Sequence, residues 1–216
     1  MRVIVLASRK GGAGKTTLTS HLSVEAEARG AGPVSVIDLD PMGSLSTWWN
    51  ARVADTPGFE PIEDTLDATL KRLAAKRVKT VFIDTPPAAT EALGHVFDTA
   101  DLVVMPVVPS ATDLWAISET IQLVVKHGRP LMFCLNNAGV GTHMERQAHH
   151  ALQLLAAATP KLHQVAPLEA VCHTRQDFRS CMTDGRTVAE TAPKGRSALE
   201  VAALWSAVHT AVGGRA

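Results

Sequence analysis

The sequence predicts a doubly wound α/β domain, a mostly parallel sheet with helices on both faces, and three observations point to it. Strand-length runs rich in Val, Ile and Leu recur without strict apolar–polar alternation, as strands buried on both faces require. Longer helical patterns separate those runs, so the order reads β-α-β along the whole chain. The first run, Val3-Ile4-Val5-Leu6-Ala7, passes straight into a glycine-rich loop and a helix. Sheets of this kind bind ligands beyond the carboxyl ends of their strands.

Taken in order, the predicted strands are Arg2–Ala7, Val34–Asp38, Thr80–Asp84, Asp101–Val107, Pro130–Asn136 and Gln164–Cys172. The predicted helices are Gly14–Gly30, Ser44–Val53, Pro61–Lys76, Ala88–Ala100, Ser110–Lys126, Thr142–Ala158 and Ser197–Val212. With 216 residues and no repeat, low-complexity tract or linker, a single domain over residues 1–216 is expected. The composition, 46% hydrophobic and 19% charged, is that of a soluble globular protein. Basic and acidic residues balance to a net charge of +0, so any hold on nucleic acid must come from a local patch or from dimerisation. Apolar runs such as Leu102–Val108 are strand-length and broken by proline, which argues against a membrane span. A first strand starting at residue 2 leaves no room for a cleavable signal. Cys134, Cys172 and Cys181 are far apart and form no C-x-x-C pair, so buried, reduced thiols in a cytosolic protein are expected.

Three segments carry chemistry. Residues 8–17 read Ser-Arg-Lys-Gly-Gly-Ala-Gly-Lys-Thr-Thr. Gly14, Lys15 and Thr16 fill the end of the phosphate-loop pattern G-x-x-x-x-G-K-[ST], in which backbone N–H groups cradle phosphate, the lysine reaches the β/γ oxygens and the hydroxyl binds Mg²⁺. Gly11, Gly12 and Gly14 let the backbone turn tightly and approach the anion. The following helix adds its positive dipole end. Arg9 stands where the first glycine belongs, and Lys10 is a second lysine, placed to reach a phosphate held by a neighbouring subunit. Val36-Ile37-Asp38-Leu39-Asp40-Pro41 delivers two carboxylates past a strand end. One can hold Mg²⁺-bound water and the other can orient attacking water, with helix capping by Asp40 as the alternative. Thr80-Val81-Phe82-Ile83-Asp84-Thr85-Pro86-Pro87 delivers Asp84, a Mg²⁺-side carboxylate, ahead of a stiff exit segment.

Together these segments resemble the deviant-P-loop ATPases of the ParA/MinD family. The shared pattern is K-G-G-x-G-K-T-T, then D-x-D-P, then a hydrophobic run ending D-x-P-P. Asp40-Pro41-Met42-Gly43-Ser44 is similar to the family's D-P-Q-G-S/N segment, with Met42 in place of glutamine. Asp101–Ser110 is similar to its next strand and loop. Thr174-Arg175-Gln176, Gly185 and Val188-x-Glu190 are similar to the C-terminal region of small plasmid-partition ParA proteins. The absence of a helix-turn-helix before the first strand fits that small type.

The resemblance implies ATP and Mg²⁺ as cofactors and roles for particular residues. Lys15 and Gly11, Gly12, Ala13 and Gly14 would hold the β/γ-phosphates, Thr16 the Mg²⁺, and Thr17 the α-phosphate side. Lys10 would cross an ATP-sandwich homodimer to the partner's nucleotide. Asp40 would position the hydrolytic water, Asp84 and Asp38 would meet Mg²⁺ through water, and Asn136 would sit on the adenine side. It implies a cytoplasmic, nucleoid-associated ATPase of weak intrinsic activity, which binds DNA non-specifically, partitions plasmid or chromosome, and is stimulated by a ParB-like or cargo-adaptor protein. The same ATPase positioning a protein cargo or microcompartment is the alternative.

For the DNA surface, Arg175, Arg179, Arg186, Lys194 and Arg196 are the candidates. Doubling them in a dimer steepens phosphate binding. The denser run Lys71, Arg72, Lys76, Arg77 and Lys79 is read as a solvated helix end, balanced by acids at the helix start. A MinD-like membrane helix is disfavoured, because Leu199, Val201, Leu204, Trp205, Val208 and Val212 form a core-facing stripe poor in bases. An iron–sulfur site is disfavoured by the cysteine contexts. His143, His149 and His150 are read as surface residues rather than metal ligands. A small-molecule kinase is disfavoured by the two aspartate segments combined with Lys10.

Overall fold

Successive residues of the first strand, β1 (Arg2–Leu6), point to opposite sides of the sheet, and both sides are dry. Ile4 and Leu6 enter one core, while Val3 and Val5 enter the other. β4 (Thr80–Asp84) repeats the division, with Phe82 on the first face and Val81 and Ile83 on the second. That is why these strands read as unbroken apolar runs. The computed structural model describes residues 1–87, 93–158 and 163–213. Within them lie β2 (Val34–Asp38), β3 (Gly58–Phe59), β5 (Leu102–Val107), β6 (Leu131–Ala138), β7 (His163–Val165) and β8 (Cys172–His173). All pair in parallel, in the order β3-β2-β4-β1-β5-β6-β7, with β8 also on β6.

Helices cover both faces. α1 (Lys15–Ala28), α2 (Ser44–Asn50) and α9 (Arg196–Ala211) pack on one side through Leu18, Leu22, Leu45, Trp48, Val201 and Leu204. α3 (Leu66–Ala75), α4 (Gly94–Thr99), α5 (Ala111–Lys126) and α6 (His143–Ala157) cover the other through Leu73, Phe97, Val124 and Leu152. Two short helices, α7 (Asp177–Ser180) and α8 (Val188–Thr191), complete the chain. The doubly wound architecture is the predicted one.

Several boundaries differ, each for a local reason. The predicted strand Gln164–Cys172 is broken into β7, a 3₁₀ turn over Leu168–Ala170, and β8. Pro167, which opens that turn, has no N–H to give a ladder. The detour moves the chain along β6, from pairing at Leu131–Phe133 to pairing at Asn136 and Ala138. The predicted helix Pro61–Lys76 starts only at Leu66, because Thr65 caps it by accepting from the Ala68 N–H at 3.2 Å. The start of the predicted helix Ala88–Ala100 lies outside the described residues. β3, α7 and α8 were missed, being too short to show a period. In α9 the buried stripe is Ala198, Val201, Leu204, Trp205 and Val208, but Leu199 is 60% exposed and falls off it. His149 is not a surface residue: it is buried, its Nε2 3.0 Å from the Ala166 carbonyl. Among the described residues no group of three or more metal-ligating side chains forms, and no helix is long and apolar enough to cross a membrane.

The basic run at the end of α3 is balanced as expected. Lys76 pairs with Glu60 at 3.0 Å, and Arg72 with Asp64 at 3.3 Å. All three cysteines are buried and free, and burial pushes their thiol pKa values up.

Candidate functional site

The carboxyl ends of β1, β2, β4, β6 and β8 surround one cavity of about 480 Å³, inside the size range of small-molecule sites. Its floor is the loop after β1. Gly14 caps α1 in the left-handed region, at φ 97°, and no acid occupies the first turn of the helix to compete for its positive end. The loop is braced from β6: the Asn136 amide donates to the Ala13 carbonyl at 2.7 Å. A Cβ on Gly14 would stand 2.0 Å from the same nitrogen, so glycine is required there for space as well as for φ. Asn136 lines the cavity, and its described bond is to the loop just before Lys15.

Lys15 is buried, and burial pushes its pKa down while Asp84 and Asp40 pull it back. Thr16 Oγ1 donates to Asp84 Oδ2 at 2.5 Å. Asp84 is fully buried, and its other oxygen, Oδ1, has no hydrogen-bond partner. Burial drives this carboxyl up to about 7, against the opposing bond from Thr16. A buried carboxylate short of partners, beside a threonine hydroxyl, offers the oxygen donors a hard divalent cation takes up, while the neighbouring lysine suits the phosphate. The residues present therefore fit Mg²⁺.

The two β2 aspartates differ. Asp38 spends both oxygens on backbone: Oδ1 accepts from the Asp40 N–H at 3.0 Å and Oδ2 from the Ser46 N–H at 2.9 Å. It anchors the first turn of α2, the capping role that the sequence suggested for Asp40. Asp40 lines the cavity, and among the described residues its carboxylate accepts from the Met42 N–H at 3.0 Å. Lys10 is exposed and lies outside the cavity lining.

Of the five candidate DNA-binding residues, two, Arg175 and Arg179, belong to the cavity lining. Arg175 is held by Glu200, through Nη2 at 2.6 Å and Nε at 3.1 Å. Arg186 pairs with Asp184 at 2.6 Å, and Lys194 and Arg196 are exposed away from the lining. His173, Phe178 and Met182 complete the far wall and had not been singled out. His173 sits between two glutamates, its Nδ1 2.7 Å from Glu200 and its Nε2 3.3 Å from Glu145. Burial pushes the Glu200 carboxyl up, but Arg175 and His173 outweigh it and hold it below the usual range. The signal available in the sequence was the strand end itself: β8 stops at His173, beside the end of β6.

Known proteins share both sequence and fold with this chain. Residues 4–176 match the CobQ/CobB/MinD/ParA nucleotide binding domain. The chain is similar to the "Maintenance of carboxysome distribution protein A" of Halothiobacillus neapolitanus, 28% identical over 206 residues and covering 91% of each chain. It is also similar to "Protein ParA" of Rhizobium radiobacter, 33% identical over 129 residues, covering 58% of this chain and 57% of that one. Among solved structures, the septum site-determining protein MinD complexed with Mg-ADP from Pyrococcus horikoshii shares the fold. Its TM-score is 0.73 at 21% identity, covering 98% of this chain and 97% of that one.

Proposed function

Because the chain belongs to the CobQ/CobB/MinD/ParA nucleotide-binding family, we propose that it is a Mg²⁺-dependent ATPase that works as a positioning switch. ATP closes two copies into a dimer, the dimer holds DNA non-specifically, and a partner protein triggers slow hydrolysis and release. The observation that carries this reading is the meeting of a buried Lys15 and a half-buried Thr16 with a partner-short Asp84 at one helix N-terminus. That arrangement suits a charged phosphate and its cation.

This chain's own groups divide the work. The amides of the loop and of the first turn of α1 bind the phosphate oxygens, and Lys15 adds a full charge where water is already excluded. Thr16 and Asp84 would hold Mg²⁺, which would supply neutralisation of the charge that develops on the phosphates. Asp40, on the cavity wall with a free oxygen, orients the attacking water. Lys10 reaches the partner's nucleotide, so the site is complete only in the dimer. Asn136, Arg175 and Phe178 form the end that receives base and ribose.

The nearly full-length match to a carboxysome distribution protein favours a protein assembly as cargo, over plasmid or chromosome. The partial ParA match supports partition as the second reading. In both, the protein is cytoplasmic and nucleoid-associated. The buried stripe of α9 supports a helix held in the core rather than one used for MinD-like membrane attachment. The test is phosphate release from Mg-ATP, together with co-sedimentation on random-sequence DNA in ATP and in ADP. Hydrolysis with ATP-selective DNA binding is expected. DNA binding indifferent to the nucleotide removes the switch, and no hydrolysis with or without DNA removes the ATPase. Deleting the gene and scoring plasmid loss against the spacing of protein assemblies decides the cargo.

A further inference from the structure

One buried arginine ties together two walls of the cavity that the sequence keeps more than a hundred residues apart. The Arg52 side chain, just beyond the end of α2, is only 2% exposed. Its Nη1 donates to the Gly185 carbonyl at 2.6 Å and to Glu190 Oε2 at 3.2 Å. Its Nη2 donates to Glu190 Oε1 at 2.9 Å and to the Thr56 carbonyl at 2.7 Å. The guanidinium also lies 4.8 Å from the centre of the Trp48 ring, while Trp48 Nε1 donates to the Arg186 carbonyl at 3.3 Å. Gly185, at φ 75°, comes so close that a Cβ there would sit 2.4 Å from the Arg52 backbone nitrogen. Glu190 is in turn fixed by the Thr187 N–H at 2.8 Å and hydroxyl at 2.9 Å.

What lies on either side of this clamp gives it meaning. In front of it, α2 follows directly on the Asp38–Asp40 loop and is bonded back to it through Ser46. Behind it, the segment from α7 to Gly185 supplies Phe178, Arg179 and Met182 to the opposite wall of the cavity. We propose that Arg52 is a positioning residue that makes the two walls move as one, so that filling the base end sets the Asp40 loop for hydrolysis. A bidentate, planar fork from a buried arginine onto a carboxylate is a rigid connector, which a lysine does not reproduce. The inference rests on the ATPase reading above and specifies how that site is controlled.

The test compares wild type with Arg52→Lys and Arg52→Met, in ATP affinity and in single-turnover hydrolysis. Both variants keep an unbranched stem to lie over Trp48. The expected result is a fall of about tenfold or more in the hydrolysis rate, with ATP affinity changed by less than about threefold. Both rates would also become the same for ATP and GTP, because base occupancy no longer reaches Asp40. Gly185→Ala, which pushes the walls apart from the other side, should give the same split. A wild-type rate in Arg52→Lys overturns the proposal. So does a proportional loss of affinity and rate, which is what plain loss of structure gives. If Arg52→Met does not fold, Arg52→Lys and Gly185→Ala decide. If wild type itself hydrolyses nothing, the ATPase reading has failed; if wild type is active and the variants match it, only the coupling has.

Discussion

Replacing Asp84 by asparagine should make the ligand-free protein more stable at pH 8 while abolishing its activity. The carboxyl is fully buried, keeps one oxygen without a partner and is driven from 3.8 up to about 7 by burial. Its folded pKa lies above its unfolded value. The stability contributed by its protonation is therefore fully present below about pH 4 and lost as the pH rises to about 7. At 1.36 kcal/mol per pH unit, the charged carboxylate costs about 4 kcal/mol at pH 8. Asparagine removes that cost and keeps an oxygen for the Thr16 hydroxyl. It leaves instead a buried N–H without a partner, worth roughly 1–3 kcal/mol against it. The net gain is about 2 kcal/mol, or about 4–8 °C in Tm for a chain of this size. Thermal melts of both proteins from pH 5 to pH 8, without nucleotide, measure it. The gap should close between pH 7 and pH 5, as wild-type Asp84 takes up its proton. His21 adds a second slope to both curves: burial pushes its pKa down to about 4, which costs about 3 kcal/mol as the pH falls from 6.5. That slope opposes the one from Asp84 and is common to both proteins, so only their difference isolates the carboxylate. A variant that melts below wild type at pH 8, or a gap that ignores pH, refutes the electrostatic account.

Further outcomes follow from the same site. Asp40→Ala should bind ATP normally and stall hydrolysis, leaving an ATP dimer that persists in size-exclusion light scattering; a monomer there would contradict the assignment. Lys10→Ala should lose both ATP-dependent dimerisation and hydrolysis, since its charge is used across the interface. Asn136→Ala removes the 2.7 Å brace on Ala13, and nucleotide affinity should fall about five- to tenfold, the worth of one buried hydrogen bond read by calorimetry. Arg175→Ala should weaken nucleotide binding and leave the salt dependence of DNA binding unchanged. Replacing Arg186, Lys194 and Arg196 together should instead flatten that salt slope by up to about three phosphate contacts.

The sheet was readable because burial on both faces writes itself into sequence as unbroken Val, Ile and Leu runs. The phosphate loop was readable because glycine spacing and a following helix are local features. Asp84 followed from its place at a strand end. What escaped was everything decided by contacts distant in sequence. Nothing local separates Asp38, spent on backbone amides, from Asp40, which faces the cavity. Arg175 and Arg179 looked like surface charge, because the break at Pro167 that turns β8 toward the cavity is set by pairing with β6. Leu199 looked like core because its hydropathy is right, although its angle on the helix is not.

The parallel strand order also sets when the site can exist. Its lining runs from Gly11 to Met182, and β1, which carries the phosphate loop, pairs only with β4 and β5. During synthesis the loop must wait for residues 80–104 before its strand has neighbours, and for the whole stretch to 182 before the cavity has a far wall. A chain that has not yet reached residue 182 therefore offers nucleotide only part of this lining. A fragment ending before residue 182 should bind nucleotide more weakly than the whole chain, as calorimetry on the two would measure.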